Sequence, residues 1–422
     1  MLPMKVDAWL ENGRLLLDTL GSRLKVREGR LWMGDRFVRD WAEALGTPCF
    51  LYDCAILDAG IDRLRAALPD DLRLHYAVKA NPHPPLLAYL SHRVDGFDTA
   101  SLGELTRLAE QGVDPRRCSL AGPAKSDAEL AWALAHQVLV NVESAGEAAR
   151  MAGLARQSGL TGRIALRLNP PFELKGSGMR MGGGANPFGI DAEQAGAVID
   201  ALDHKALSLE GFHLYAGSQC RDADVLAEGF ERSLSLIAEL CTSRGWLPKI
   251  VNLGGGFGIP YAPGDPPLAL ENLGAALKAM LAKWRGRFPE TEFIIELGRY
   301  LVGEAGIYVT RVVDAKHSRG RDFLLCDGGM HHHLALSGNL GQVIRRNWPL
   351  LVADRMDDPL TGRFDLAGPL CTPLDVLGRD QPLPADTGPG DLIVVMQSGA
   401  YAASASPKDF LSRPAAIEHL VE

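Results

Sequence analysis

The sequence predicts an α/β protein in which a (β/α)8 barrel over residues 46–306 is followed by a β-domain over residues 307–422. Short β-rich runs alternate with stretches of helical periodicity from about residue 46. The residues that end these runs are charged or catalytic types rather than ordinary turn residues. Beyond about residue 306 the pattern changes to strands separated by Gly, Pro and Asp. These three observations together favour a barrel with an added β-domain.

Eight strand-like runs precede the change of pattern, and each except the last is followed by a plausible helix. Such alternation predicts a parallel sheet, and eight repeats predict closure into a barrel. An open doubly wound sheet is the alternative. The strand-like runs are LRLHYAV, RVDGFD, RCSLA, VLVNV, RIALRL, LEGFHLY, KIVNL and EFIIE. The clearest helical stretches are LDAGIDRLRAAL, LGELTRLAEQG, DAELAWALAHQ and LAEGFERSLSLIAEL.

The ends of the strand-like runs carry polar residues of kinds that catalyse reactions. In a parallel barrel all of these ends meet on one face, where active sites are found. We therefore expect an active-site ring at that face. Its members in chain order are Lys79, Asp98, Asn141, Arg167, His213, the glycines of GGGFG and Glu296.

The remaining segments are strand-like. After residue 306 the runs GIYVTRVVDAK, DFLLCDGG, FDLAGPLC and DLIVVMQSGAY predict the strands of the β-domain. The opening GRLLLDTLGSRLKVREGRLWMG is more typical of strands than of helices. We expect residues 1–45 to form a β segment that packs with the C-terminal domain.

Composition excludes several classes of protein. With 422 residues, 46% of them hydrophobic, the chain can bury the cores of two or three domains. The net charge of −8, with both signs interspersed, argues against a nucleic-acid partner. No apolar run is long enough to span a membrane, and the first residues do not resemble a signal peptide. Seven cysteines without a Cys-x-x-Cys pair fit reduced thiols, so we expect a cytoplasmic protein.

Lys79 is a lone charge in the apolar run HYAVKANP. Loss of solvation at a barrel strand end favours the neutral, nucleophilic amine, which is suited to Schiff-base chemistry. A structural lysine paired with a carboxylate such as Asp98 is the alternative. The glycines of VNLGGGFGIPY can turn backbone N–H groups towards a phosphate, or can form only a tight turn. A lysine and a phosphate cradle on one face suit a sugar-phosphate aldolase or an enzyme that uses pyridoxal phosphate.

Glu296 ends the eighth run, in IIELGRY. A carboxylate beside a pyridine nitrogen keeps that nitrogen protonated and makes the ring an electron sink, which an aldolase does not need. An ion pair with Arg299 is the alternative. His213 and Tyr215, in GFHLYAGSQ, share one strand face, where an aromatic ring can stack on a planar cofactor. Ser218 can donate to a phosphate. Taken alone, the histidine and the tyrosine are more typical of core residues than of a cofactor site.

Two further motifs lie in the β-domain. Cys371, in LAGPLCTPLD, is a candidate proton donor, although most lone cysteines are inert. The run GGMHHHLALSGN contains His331, His332 and His333. Neighbouring strand residues point to opposite faces, so only the first and third could share a ligand. This spacing differs from that of metal motifs, and we expect no metal site.

Taken together, these motifs resemble the pyridoxal-phosphate-dependent decarboxylases of the alanine-racemase fold type, which include diaminopimelate, ornithine and arginine decarboxylases. The resemblance covers residues 46–418, with the motifs in the family's order. It implies a pyridoxal 5'-phosphate cofactor. It also implies a homodimer with its active sites at the subunit interface.

The resemblance also assigns residues. Lys79 resembles the lysine that forms the internal aldimine, Glu296 the partner of the pyridine nitrogen, and Cys371 the cysteine that a neighbouring subunit contributes to protonate the carbanion. Asp98 and Arg167 resemble residues near the lysine and the ring. The residues that resemble the phosphate site are Ser218, Gly254, Gly255, Gly256, Gly298, Arg299 and Tyr401.

Two positions depart from the family's pattern. Leu297 replaces the proline that usually follows the glutamate. Tyr215 takes the place of the histidine in the family's His-x-Gly-Ser motif, and His213 lies two residues earlier. Which of these two rings stacks on the cofactor is therefore left open.

The implied reaction is decarboxylation of an L- or meso-amino acid, or of an amino-acyl group on a carrier protein. The substrate amine displaces Lys79, carbon dioxide leaves, and the electrons enter a pyridinium kept protonated by Glu296. Cys371 or Lys79 then protonates the α-carbon. The alternatives are diaminopimelate decarboxylase proper and a racemase of the same fold, although racemases place an arginine at the pyridine nitrogen. A cofactor-free aldolase and a non-catalytic pyridoxal-phosphate carrier are also possible.

The residue after the cysteine bears on the substrate. In diaminopimelate and ornithine decarboxylases it is acidic and holds the distal ammonium, whereas here it is Thr372. A neutral hydroxyl cannot pair with a buried ammonium, so the resemblance favours a substrate without one. LALSGNLGQVIRRNWP and GPLCTPLD resemble a branch that acts on carrier-tethered glutamyl groups or other non-diamine amino acids. Arg299, Arg345 and Arg346 are candidate substrate contacts; the last two could face a carboxylate, a phosphopantetheine phosphate or an acidic carrier, or be surface arginines.

Overall fold

The structure is a computed structural model that describes residues 10–173, 179–180, 182–338 and 346–422. The chain divides into two compact units. The barrel unit comprises Ile61–Gly258 and Leu268–Gly298. The mixed-sheet unit comprises Met1–Gly60, Ile259–Pro267 and Arg299–Glu422.

Strands and helices are numbered here along the described part of the chain. The strands are β1 (Lys25–Arg27), β2 (Arg30–Met33), β3 (Arg36–Phe37), β4 (Cys49–Asp53), β5 (Arg73–Ala77), β6 (Gly96–Thr99), β7 (Cys118–Leu120), β8 (Leu139–Val142), β9 (Gly162–Asn169), β10 (Met179–Arg180), β11 (Ile190–Asp191), β12 (Leu207–Leu214), β13 (Gly217–Ser218), β14 (Ile250–Gly255), β15 (Glu292–Leu297), β16 (Gly306–Ser318), β17 (Arg321–Cys326), β18 (Leu350–Val352), β19 (Gly362–Ala367), β20 (Val376–Leu383), β21 (Leu392–Val395) and β22 (Ile417–Val421). The α-helices are α1 (Gly13–Thr19), α2 (Val38–Leu45), α3 (Cys54–Ala67), α4 (Pro84–Leu90), α5 (Leu102–Glu110), α6 (Asp127–Ala135), α7 (Ala145–Ser158), α8 (Ala192–Asp200), α9 (Ala223–Thr242), α10 (Leu270–Arg285) and α11 (Arg299–Val302).

A closed barrel of eight parallel strands forms the centre of the barrel unit. Its order is β9-β12-β14-β15-β5-β6-β7-β8, and pairing of β8 with β9 closes the ring. These strands coincide with the eight strand-like runs of the sequence, so the predicted barrel is confirmed and the open sheet is wrong. Short loops lead from strands β6, β7 and β8 into the helices that follow them. Ser101, Ser126 and Ser144 cap α5, α6 and α7 by accepting backbone N–H bonds from the glutamates three residues later.

The polar strand ends face the inside of the barrel. In a parallel pair, residues in register point to the same side of the sheet. Glu296 pairs with His75, and Asp98 pairs with Ser119. On the other side of the ring, His213 pairs with both Arg167 and Asn252. The register therefore directs the predicted site residues of these strands to one interior.

An antiparallel and mixed sheet forms the other unit, as the sequence predicts. The long strand β16 pairs antiparallel with β4, β17 and β21, and β22 adds to β4 in parallel. Its core packs the rings of Phe50 and Tyr308, whose centroids lie 4.8 Å apart, among buried aliphatic side chains. No helix in the described part of the chain combines the length and the apolarity that crossing a bilayer requires.

The first forty-five residues contain more helix than the sequence pattern indicates. Residues 13–19 form helix α1 because the Asn12 side chain accepts the backbone N–H of Leu15 and caps the helix. Strands β1 and β2 then form a hairpin. Within the same unit, Leu31 donates its N–H to the carbonyl of Ala353 at 2.7 Å, and Arg30 pairs with Asp354 at 3.0 Å.

Candidate active site

Lys79 lies in a 3₁₀ turn directly after β5. Its Nζ is 3.4 Å from Oδ2 of Asp98 and 5.5 Å from the centroid of the Tyr215 ring. The Lys79 side chain is 38% exposed, whereas that of Asp98 is only 1% exposed. Burial raises the pKa of Asp98, as does the charge of Glu296, and the charge of Lys79 opposes both. The predicted partnership of Lys79 and Asp98 is present, and it leaves the lysine amine beside an aromatic ring.

Glu296 is a buried carboxylate with two fixed partners. His213 lies with Nε2 3.2 Å from one carboxylate oxygen, and the Asn252 amide donates to the other at 3.1 Å. Burial acts to raise the pKa of Glu296. The charge and hydrogen bond of His213, the charge of Lys79 and the bond from Asn252 outweigh burial and lower that pKa to about 2. Glu296 is therefore an oriented, ionised carboxylate, as a partner for a protonated ring nitrogen must be.

The two aromatic candidates occupy different places. His213 is hydrogen-bonded to Glu296, whereas Tyr215 flanks the amine of Lys79. Both come from the end of β12 and the residues that follow it. The histidine thus orients the carboxylate of Glu296, and the tyrosine ring lies beside the lysine amine.

Arg167 is held by a buried ionic network. Its guanidinium donates to Glu143 at 2.7 Å, and Glu143 also accepts the backbone N–H of Gly122 at 2.6 Å. Next to it, Lys125 pairs with Glu147 at 2.6 Å, with both side chains buried. Because each buried charge has a partner, the arginine has one defined position at the end of β9.

The glycine run packs closely against the loop of residues 217–220. Gly254 and Gly256 have φ angles of +70° and +83°, which non-glycine residues rarely adopt. A Cβ on Gly256 would lie 2.1 Å from the carbonyl oxygen of Gly217, next to Ser218. Cys220 ties the loops together, since its N–H donates to Gly256 and its carbonyl accepts from Gly258. A preformed backbone turn with a serine hydroxyl beside it fits a phosphate.

Two other glycines are fixed by their neighbours. Gly255 pairs with Glu296, and a Cβ there would lie 2.0 Å from that residue's carbonyl oxygen. A Cβ on Gly298 would lie 2.8 Å from the Cβ of Ala80, the residue after Lys79. A larger residue at 298 would therefore press on the turn that carries the lysine.

Arg299 begins helix α11 in the mixed-sheet unit. It donates to the hydroxyl of Tyr261 at 2.7 Å, and its guanidinium carbon lies 4.8 Å from the centroid of the Tyr401 ring. Tyr401 has a φ of +60°, so the backbone turns sharply to present that ring. Arg299 and Tyr401, which the resemblance assigns to the phosphate site, are thus in contact with each other.

Cys371 and Thr372 lie on a loop after β19. Cys371 is exposed, and Thr372 accepts the backbone N–H of Leu374 through its hydroxyl at 3.3 Å. Asp375 ends the loop and is only 2% exposed. Its two oxygens accept the backbone N–H groups of Met330 and Leu370 at 2.6 and 2.8 Å.

The other candidates have contacts within the mixed-sheet unit or lie outside the described residues. Arg346 pairs with Asp265 at 3.2 Å and is largely exposed, and Arg345 lies outside the described residues. His331, His332 and His333 are buried. His332 contacts the Tyr308 hydroxyl and the Pro414 carbonyl, and His333 contacts Ser398. Burial lowers the pKa of His331 to about 4 and that of His333 to about 3.

Sequence reasoning missed three supporting residues. Asn252 orients Glu296, Glu143 holds Arg167, and Tyr261 binds Arg299. The signal for the first was a single polar residue inside the buried run KIVNL, and for the second a glutamate directly after VLVNV. Tyr261 carries no such signal, because its partner is remote in the sequence.

The barrel residues fit a pyridoxal phosphate cofactor. The lysine amine suits a Schiff base, the ionised Glu296 suits a protonated pyridine nitrogen, and the glycine turn with Ser218 suits a phosphate. An aldolase that forms a Schiff base would have no use for a carboxylate held ionised by His213 and Asn252. A lysine-anchored pyridoxal-phosphate enzyme on a (β/α)8 barrel is the class that this fold and site define.

Comparison with known proteins identifies the family. Residues 56–303 match the family model described as pyridoxal-dependent decarboxylase, pyridoxal binding domain. L-glutamyl-[BtrI acyl-carrier protein] decarboxylase of Niallia circulans is 35% identical over 89% of this chain and 88% of its own. Diaminopimelate decarboxylase of Aquifex aeolicus is 31% identical over 96% and 94%. The crystal structure of diaminopimelate decarboxylase from Helicobacter pylori with L-lysine has a TM-score of 0.81, 26% identity and coverage of 91% and 94%.

The chain belongs to the pyridoxal-dependent decarboxylases. It is a pyridoxal-phosphate-dependent enzyme that decarboxylates an amino acid or amino-acyl group, as predicted. The aldolase and the non-catalytic carrier are excluded by this assignment. When bound, the cofactor supplies an electron sink for the pair of electrons that carbon dioxide leaves behind.

Proposed function

We propose that this enzyme decarboxylates an amino-acyl group, of the glutamyl type, that is tethered to a carrier protein. The observation that carries the proposal is the loop at Thr372. Its hydroxyl is neutral and is bonded within the loop to Leu374. A substrate with a free distal ammonium would need a carboxylate there, because a buried ammonium without a partner is costly.

Asp375 does not replace the missing acid. It is the one carboxylate within residues 368–375, and it is turned inward, with both oxygens accepting backbone N–H groups. Burial also raises its pKa, which disfavours a free charge. The exposed part of the loop, residues 371–374, therefore offers a substrate no negative charge. This supports a substrate whose far end is not a cation.

The relative from Niallia circulans has a substrate of the proposed kind, since its printed name is L-glutamyl-[BtrI acyl-carrier protein] decarboxylase. Diaminopimelate decarboxylase, the alternative substrate assignment, is represented by a relative with 31% identity. The two relatives thus represent the two candidate substrates, and Thr372 favours the carrier-linked glutamyl group over diaminopimelate. Arg346, exposed beside Asp265, supports a docking contact with an acidic carrier or a phosphopantetheine phosphate.

The test is release of carbon dioxide from three substrates labelled at the α-carboxylate: glutamyl-carrier protein, free glutamate and free meso-diaminopimelate. We expect release from the carrier-linked substrate to exceed release from both free amino acids. Lys79→Ala is the blank for each. Rapid turnover of free diaminopimelate by the wild type would contradict the proposal and favour the alternative.

Within the barrel, we propose that Lys79 anchors the cofactor, that Glu296 holds its pyridine nitrogen and that Tyr215 stacks on its ring. Asp98 supports the lysine, and Arg167 lies beside the ring. The proximity of Tyr215 to Nζ of Lys79, and the bond between His213 and Glu296, support this division of roles. The residues proposed to bind the phosphate are Ser218, Gly254, Gly255, Gly256, Gly298, Arg299 and Tyr401.

We propose that the enzyme is a homodimer in which Cys371 of one subunit protonates the α-carbon at the other subunit's lysine. The exposure of Cys371 supports a role outside its own fold. Mixing Lys79→Ala and Cys371→Ala subunits should then restore about one quarter of wild-type activity, because half of random dimers regain one complete site. Mixtures that stay as inactive as their parents would contradict a shared site.

The cellular location is also a proposal. All seven cysteines are free thiols, and six of them are buried. Such thiols are usual in a reducing compartment, which supports the cytoplasm.

A further inference from the structure

Asn141 belongs to the predicted active-site ring but has been assigned no role so far. Its side chain lacks hydrogen-bond partners among the described residues. It lies on β8 and is 0% exposed. Neither its amide nitrogen nor its amide oxygen has a hydrogen-bond partner among the described residues. Buried amides almost always have partners, so an unpaired one calls for a ligand or water.

The register places this amide inside the barrel. Asn141 pairs with Ala165, two residues before Arg167, and Leu139 on the same face pairs with Ser119. Because Ser119 bonds Asp98 through its hydroxyl, this face is the interior one. Interior side chains from alternate strands share layers in such barrels, and the registers put Asn141 at the level of Asp98, His213 and Glu296.

The position is also opposite Glu296. Strand β8 is four strands away from β15 in the closed ring of eight, so the two side chains approach the interior from facing walls. The backbone of Asn141 is held firmly, since its carbonyl accepts a bond from Nζ of the buried Lys125 at 2.7 Å. A fixed donor and acceptor thus face the carboxylate proposed to hold the pyridine nitrogen.

We propose that the side-chain amide of Asn141 is a cofactor-binding group that donates to the ring oxygen of pyridoxal phosphate. The proposal rests on the cofactor site assigned above. In that site Glu296 takes the ring nitrogen and the glycine turn takes the phosphate, which leaves the 3-oxygen as the remaining polar group. That oxygen is an acceptor and the Asn141 NH₂ is a donor without a partner among the described residues.

The test uses Asn141→Leu, which is close in volume, and Asn141→Ala in case the first variant does not fold. The cofactor is removed from each protein, and its dissociation constant is measured by titration with pyridoxal phosphate. Loss of one hydrogen bond should weaken binding roughly three- to tenfold. The visible band of lysine-bound cofactor should also titrate at higher pH, because a less stabilised oxygen anion holds the Schiff-base proton more tightly.

Val142→Ala is the matched control. It is the next residue on β8, it is buried, and it faces away from the interior, so it perturbs the strand without removing a polar group. We expect its dissociation constant and band titration to match the wild type. Equal cofactor affinity and an unchanged titration in both Asn141 variants would overturn the proposal and indicate an ordered water as the partner. A wild type that binds no pyridoxal phosphate would instead overturn the cofactor site itself.

Discussion

The barrel interior and the loop of residues 368–375 differ in how far their candidate site residues are buried. In the interior, Asp98, His213 and Glu296 are each at most 3% exposed; Asp98 has Lys79 as a partner, and Glu296 has His213. In the loop, Cys371 is exposed and Leu374 is 59% exposed, whereas Leu370 and Asp375 are buried. In the proposed function, the interior performs the decarboxylation and the loop selects among substrates.

The largest effect is expected in the interior, at Lys79. Lys79→Ala should abolish the visible band and reduce activity by at least about a thousandfold, since it removes the amine proposed to anchor the cofactor. Absorbance and carbon dioxide release measure both. Lys79→Arg keeps a cation beside Asp98 without a nucleophile, and should be equally inactive. An active Lys79→Arg variant would contradict the anchoring role and indicate that Lys79 is purely structural.

A smaller loss is expected at Glu296. Glu296→Gln keeps the shape but removes the charge, and should lower kcat by about a hundredfold. Asn252→Ala leaves the charge of Glu296 but removes the hydrogen bond to one of its oxygens. The decrease in kcat should therefore be smaller, about tenfold. Because the pKa of Glu296 is about 2, its carboxylate stays ionised at every pH above about 4. A kcat that fell with a midpoint near 4 in wild type and not in the glutamine variant would contradict this.

The loop should change selectivity rather than rate. Thr372→Glu adds the charge that a distal ammonium needs, and should raise turnover of free diaminopimelate about tenfold relative to Thr372→Gln. The glutamine variant has the same length without the charge, so it isolates electrostatics from shape. Equal turnover by the two variants would show that substrate choice lies elsewhere.

The smallest effect concerns acid stability, through His333 in the core of the mixed-sheet unit. Burial lowers its pKa to about 3, whereas the unfolded chain takes up a proton near pH 6.5. Its stabilising contribution is therefore complete above pH 6.5 and is lost as the pH falls from there towards 3. His333→Gln should reduce the fall in the free energy of unfolding by about 1 kcal/mol per pH unit in that range.

The control for acid stability is His317→Gln, because that side chain is 65% exposed. Denaturant unfolding at several pH values between 6.5 and 4 measures the slope. If the two variants show the same slope as wild type, His333 is not a source of the acid sensitivity.

The sequence was most informative where a local pattern carried the signal. Seven of the eight barrel strands are short apolar runs that end at, or are followed by, a member of the predicted ring, so both the strand and its candidate site residue could be predicted; β7 is the exception. Helix α1 was not, because one capping side chain, Asn12, decides between helix and strand in GRLLLDT. The separate roles of His213 and Tyr215 could not be predicted either, since they depend on which remote side chain, Glu296 or Lys79, each ring meets.

Asp375 gives the loop an additional property. Its carboxylate accepts the backbone N–H groups of Met330 and Leu370, and these two bonds do not involve the side chains of residues 371–374. Single substitutions at the tip can therefore be tolerated without loss of the fold. If Thr372 selects the substrate, as proposed, an ancestral enzyme of this architecture could exchange one amino-acid substrate for another by changing a single codon there.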